Sequence, residues 1–429
     1  MGKNRSLFFF DSIIILLNLA VGRGNILLYW LTGFERIAPI QFIVILLDLL
    51  YIVVRAGKIK KKDIVKFPLT ALLIIIILFV NLFNIVIEGK ANPLAQSLHF
   101  VVFALFVFIL FKLSNDYINT FGNNAKAIIL LSRGYIWLSL ISIIGVFFSF
   151  VLMNIFGLDS SPVNADFMAA NMDRGYIYYR SYFSVNMFTL IPRVPFFQSY
   201  GMLSGLFHEV NLFAMNVFPC LILMLGFAKK TVCRWLIIIS SILVILFAGS
   251  ATNILVVGAC LVAFFVINSK KKIIGSIIGA AAIALAVMLY VSIDDTLLEF
   301  LLGRLDEGSG SQQYSVSLLE WTFSPRTLMG SDFFSTDYVD AMQTSSVILK
   351  DVGYIPFLLN IAFIFFYLMD TIKLLFSRDK VGMAVGFASL YLILHSAKIG
   401  MTLFAQTLPL IMVFIQTITI EVLWKKRSC

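Results

Sequence analysis

Long uncharged apolar runs constrain this chain more than any other feature. Stretches such as FPLTALLIIIILFVNLFNIVI at 67–87 and GYIWLSLISIIGVFFSFVLMNIF at 134–156 hold no ionisable side chain except one tyrosine. A helix that crosses a bilayer needs about 20 predominantly apolar residues. By that measure roughly twelve spans are expected: 7–21, 38–54, 67–87, 97–113, 134–156, 201–226, 235–249, 252–267, 273–293, 352–376, 382–397 and 402–424. Open sheet edges cannot satisfy their backbone in lipid, so the spanning part must be helical. The expected fold is an all-α polytopic bundle, one integral membrane domain over 1–429, with two long extracytoplasmic connections at 157–200 and 294–351.

Composition agrees. The 429 residues are 60% hydrophobic and only 13% charged, which a soluble domain does not tolerate. The net charge of +10 would suit nucleic acid, but its distribution argues for topology. With the N-terminus inside and twelve spans, most of the basic residues fall on one side. They include Lys3, Arg5, the run Arg55, Lys58, Lys60, Lys61, Lys62 and Lys66, then Lys229, Lys230, Arg234, Lys270, Lys271, Lys272, Lys425, Lys426 and Arg427. Cytoplasmic loops carry that bias, so both termini are expected in the cytoplasm and no nucleic-acid partner is required. The basic Lys3–Arg5 start precedes an apolar run that Asp11 interrupts, without a small-residue cleavage site, which reads as a retained first span. Cys220, Cys233, Cys260 and Cys429 avoid the long outside segments, so no disulfide framework is implied.

Connections above about 15 residues usually have a function or structure of their own. The first, 157–200, is rich in Tyr, Phe and Arg, with Asp159, Asp166 and Asp173 against Arg174, Arg180 and Arg193. Aromatic rings with guanidinium groups suit sugar faces and phosphate oxygens. The second, 294–351, is acidic, with Arg304, Arg326 and Lys350 as its basic residues. It lacks a calcium-loop pattern, and its apolar positions fit a short surface helix.

Arg193–Asn211, RVPFFQSYGMLSGLFHEVN, is the strongest candidate site. If 201–226 is helical, Ser204, His208 and Asn211 share one face, and Gly201, Gly205 and Glu209 form the neighbouring stripe. Carboxylates at such places cost about 2.5 kcal/mol or more and mark reaction centres or substrate paths. A buried ion pair joining two helices is the structural alternative. His-Glu-Val-Asn is not a zinc-protease helix, because Leu212 stands where a second His would be needed. With His99, His208 and His395 as the only histidines, no metal site is expected. No phosphate loop, dinucleotide fingerprint or nucleophile elbow occurs, so no cofactor is expected and any reacting group must arrive preactivated. Asp48 stands alone in a span, and Asp370 is one turn from Lys373, a local pair.

Three local patterns resemble the bacterial O-antigen polymerase and ligase superfamily. The first is Arg193, Gly201, Gly205, Phe207, Glu209 and Asn211, similar to that family's arginine followed by a Gly-x-Phe-x-Glu helix start. The second is 247–258, similar to a Ser-rich hairpin, with Thr252 and Asn253 where an arginine is common. The third runs from Gly303-Arg304 through Gly330 to Gly353. It has Gln312 and Gln313 in place of the family's loop arginine, a place that Arg326 can take.

The resemblance covers roughly 170–370 and implies glycosyl transfer between undecaprenyl-pyrophosphate-linked oligosaccharides at the outer face of the bacterial inner membrane, yielding O-antigen or capsular polysaccharide. On that reading Glu209 or His208 is the general base. Arg193, Arg180, Arg174, Arg304 and Arg326, with Asn211, hold pyrophosphate and sugar. A chain-length regulator and a flippase of the same pathway are the implied partners, besides the lipid bilayer. The rival readings are an O-antigen ligase moving polymer to lipid A core, and a lipid-linked oligosaccharide flippase.

Overall fold

The computed structural model describes residues 2–21, 27–32, 37–55, 72–73, 75–76, 93–122, 124–156, 161–162, 176–181, 184–189, 202–207, 210–248, 256–257, 259–260, 354–399 and 407–428. Helices dominate them. In chain order these are α1 (Gly2–Ala20), α2 (Leu27–Thr32), α3 (Ile37–Arg55), α4 (Pro93–Phe121), α5 (Lys126–Asn154), α6 (Val210–Phe227), α7 (Thr231–Ala248), α8 (Tyr354–Leu375), α9 (Lys380–Ile399) and α10 (Thr407–Ser428). Among the described residues, three stretches, Ala38–Arg55, Leu98–Phe121 and Lys126–Leu152, are long and apolar enough to cross a membrane. The span expected at 273–293, and most of those at 252–267 and 67–87, lie outside the described residues.

Burial follows helical periodicity but inverts the usual sense. On α3, Ile40, Gln41, Val44, Ile45 and Asp48 are buried, while Phe42, Ile43, Leu46, Leu47, Leu49, Leu50, Val53 and Val54 are exposed. Large exposed apolar side chains on one face and polar ones on the packed face suit a lipid solvent. The same holds on α7, where Val232, Trp235, Leu236, Ile239 and Ile242 face outward.

Helices α4 and α5 have 29 residues each, about 43 Å at 1.5 Å per residue, longer than a hydrocarbon core of about 30 Å. They turn back on each other at Gly122, whose φ of 56° is a left-handed helix end. Its N–H donates to Ile118 O at 2.8 Å. The chain re-enters the bundle at α9 through a side-chain cap, Asp379 Oδ2 accepting the N–H groups of Val381 (3.1 Å) and Gly382 (3.2 Å). Two groups of packed helices result: α1 with α3, α4 and α5, and α6 with α7, α8 and α9, joined by α5–α6 contacts and by α10, which touches both.

The first long connection has structure of its own. Strands β1 (Ser161–Pro162), β2 (Tyr176–Ser181), β3 (Ser184–Thr189) and β4 (Met202–Leu203) form an antiparallel sheet in sequence order. Its register pairs Arg180 with Val185 and with Ser161, and Asn186 with Leu203. A small sheet therefore accompanies the helices where an all-α bundle with a plain connection is expected, because its aromatic and β-branched residues favour paired strands. The connection 294–351 lies outside the described residues.

Candidate functional site

The span expected from 201 starts nine residues later. Met202–Leu203 is strand β4, Ser204–Phe207 is a turn closed by Phe207 N–H to Ser204 O at 3.0 Å, and helix α6 begins at Val210. Gly205 explains the break. Its φ is +58°, and a Cβ there would meet Phe213 Cε2 at 2.8 Å and Ser142 O at 3.1 Å. Glycine alone accepts both that backbone region and that closeness. The expected helical face of Ser204, His208 and Asn211, and the stripe of Gly201, Gly205 and Glu209, are thus not formed. The glycine permits a turn packed against α5 instead of a helix–helix contact.

This rearrangement sharpens where the candidate residues stand. Asn211 is the second residue of α6. His208 and Glu209 lie outside the described residues, immediately before that helix. Arg180 is in β2, two strands from β4, about 10 Å at the usual strand spacing. The backbone therefore brings the Arg180 strand and the approach to α6 into one sheet. Arg174, Arg193, Arg304 and Arg326 lie outside the described residues.

Below its first turns α6 enters a polar and aromatic core. Pro219 within the helix cannot donate to the Met215 carbonyl. One residue further, Asn216 O accepts the Tyr135 hydroxyl and lies 3.5 Å from Ser139 Oγ. Asn216 Nδ2 donates to Leu212 O at 2.8 Å. Tyr391 stacks with His395 at 5.6 Å and meets Phe218 at 5.5 Å. The helix that begins at Val210 is held from below by part-buried hydrogen bonds to α5, which fixes the height of its N-terminus. The first N–H groups of a helix have no partner within it, and its dipole is positive there, so a helix start is a favourable place for an anion.

A second polar assembly lies among α1, α3 and α4. Asp11, wholly buried, accepts three donors: the Tyr51 hydroxyl, Arg55 Nη2 at 2.8 Å and the Tyr117 hydroxyl at 2.7 Å. Seven residues along each helix, Asn18 Nδ2 donates to Asp48 Oδ1 at 2.8 Å. Seven further along α3, Gln41 Nε2 is 3.3 Å from His99 Nδ1. In the sequence Asp11 reads as an interruption of an apolar run and Asp48 as isolated in a span. The seven-residue spacing of Asp11–Asn18 and of Gln41–Asp48–Arg55 was the signal that joins them, since positions i and i+7 lie on one helix face. Asp370, in contrast, pairs locally with Lys373 at 2.9 Å, as its spacing suggests.

Among the described residues no group of three His, Cys, Asp or Glu side chains is placed to hold a metal. Set against family models, curated proteins and solved structures, the chain matches none.

Proposed function

We propose that this chain is a membrane glycosyltransferase that polymerises undecaprenyl-pyrophosphate-linked oligosaccharide repeat units at the outer face of the bacterial inner membrane. One observation carries the reading: the Arg- and Tyr-rich segment folds partly as a sheet whose last strand runs, through the Gly205 turn, to the N-terminus of α6 at Val210. Glu209 and Asn211 thereby bracket a helix start at the end of an arginine-bearing sheet.

The chemistry follows from that order. Glu209, or His208 beside it, takes the proton of an acceptor hydroxyl. The hydroxyl oxygen bonds to the anomeric carbon of the donor as the bond to pyrophosphate breaks. Charge gathers on the departing pyrophosphate, where the α6 N-terminus and the guanidinium groups of Arg180, Arg193, Arg174, Arg304 and Arg326 favour it. A single base fits direct displacement with inversion, by analogy with glycoside hydrolysis. The lipid chain lies along the apolar outer faces of the helices. O-antigen and capsule are the product classes in view.

The experiment is Arg193→Ala and Glu209→Ala in the producing cell, read by glycan gel. Long polymer should disappear while one-repeat glycans and membrane insertion persist. Normal chain lengths in both variants would remove these residues from the site. Deletion separates the ligase reading, which leaves full polymer stranded on the lipid carrier. The flippase reading has one observation in its favour, the buried carboxylates Asp11 and Asp48. Purified protein that moves lipid-linked glycan across vesicles but joins no sugars would establish it.

A further inference from the structure

The α1–α3–α4 assembly carries an unfinished hydrogen-bond pair. Asp48 and Asn18 are both wholly buried. The two N–H bonds of Asn18 Nδ2 go to Ile14 O at 3.0 Å and to Asp48 Oδ1 at 2.8 Å. Asp48 Oδ2 and Asn18 Oδ1 are then left without a hydrogen-bond partner among the described residues. Two orphaned acceptors on two residues already in contact lack one hydrogen between them. Buried polar atoms are almost always paired, and an ionised carboxylate only accepts, whereas a protonated one also donates.

Among the described residues no cation is paired with either carboxylate oxygen of Asp48. On α3 itself Arg55 is seven residues away, about 10.5 Å along the axis, and its guanidinium is held by Asp11 at 2.8 Å. Tyr51 and Tyr117 also donate to Asp11. On α4, Lys112 pairs with Asp116 at 3.0 Å, and His99 faces Gln41. On α1, Lys3 and Arg5 precede Asn18 by 13 residues or more, about 20 Å. Intramembrane acids without a counter-ion are characteristic of proton sites.

We propose that Asp48 is a proton-binding site inside the bundle, taken up as the neutral acid that closes a two-bond carboxyl–amide pair with Asn18. The proton sits on Asp48 Oδ2 and is donated to Asn18 Oδ1, while Asn18 Nδ2 continues to donate to Asp48 Oδ1. Each residue then gives one hydrogen and accepts one. The site has polar stations one level to either side, Gln41 with His99 and Asp11 with Arg55, from which the proton can be delivered or withdrawn. This inference stands independently of glycosyl transfer.

The test is infrared difference spectroscopy on the full-length protein in lipid nanodiscs, wild type against Asp48→Asn. An asparagine at 48 can form the same two bonds with Asn18, so the variant should keep its elution volume and helical circular dichroism. The expected result at neutral pH is loss in Asp48→Asn of one carbonyl band of an undissociated carboxyl. In the Asn18→Leu variant that band should shift to higher frequency, because its hydrogen-bond acceptor is gone. No band lost on Asp48→Asn, meaning an ionised or water-held carboxylate, would overturn the proposal. So would a band seen only when sodium is replaced by choline, which would make this a sodium site. A band unmoved by Asn18→Leu would overturn the pairing.

Discussion

Two aspartates on neighbouring helices of one bundle, Asp11 and Asp48, are both fully buried, yet their surroundings are opposites. Asp11 receives a guanidinium and two phenols from α3 and α4; Asp48 receives one amide hydrogen from α1. Removal of a carboxylate's charge from water is expensive, and strong charge-assisted hydrogen bonds are what offset it. At Asp11 that compensation is complete, which makes it a clamp among three helices. At Asp48 it is half present, which makes it a place where something else must arrive. Burial alone does not separate structure from function; the count of donors does.

The largest effect should come from Asp11→Ala. It strands the Arg55 charge and two buried hydroxyls, and breaking one side of a buried pair typically costs about 3–5 kcal/mol. Reversible unfolding in mixed micelles would measure it, and a loss below about 1 kcal/mol would mean that the clamp is not a clamp. Asn18→Leu should come next. It leaves Asp48 with no partner among the described residues, a penalty of about 1–3 kcal/mol for an unsatisfied buried group. If it destabilised as much as Asp11→Ala, the contrast between the two sites would collapse. The smallest effect belongs to Asp370→Asn. Its Lys373 partner is 46% exposed, and exposed i, i+3 pairs contribute only about 0.3–0.5 kcal/mol. Unfolding midpoints in low and high salt would check that the residual effect is screened.

Much of the architecture was legible in the linear chain. The apolar runs located α3, α7, α8 and α9 to within a few residues, because nothing but a helix satisfies such a backbone in lipid, whereas α5 begins at Lys126, well before its run at 134–156. The Asp370–Lys373 pair was legible too, since its geometry is local. The start of α6 was not. Periodicity continued smoothly back to residue 201, whereas the chain stops at a left-handed Gly205 wedged against Phe213 and Ser142. That wedge depends on α5, more than 60 residues earlier, which no local pattern encodes. For the candidate site, only the order of the arginines and Glu209 along the chain could be read directly. The antiparallel sheet that puts the Arg180 strand beside the approach to α6 required strand register.

By itself the sequence pointed to helices apolar enough for a bilayer and to the places where charge would be costly there. It supplied Asp11 and Asp48 as two similar anomalies in apolar helices. Only the tertiary structure decided that one is satisfied and the other is not. The reason is that their partners come from other helices, up to 106 positions away in the chain. Which groups meet depends on the antiparallel alignment of α1 against α3. A shift of that alignment by a single turn, about 5.4 Å, would carry every donor past its acceptor.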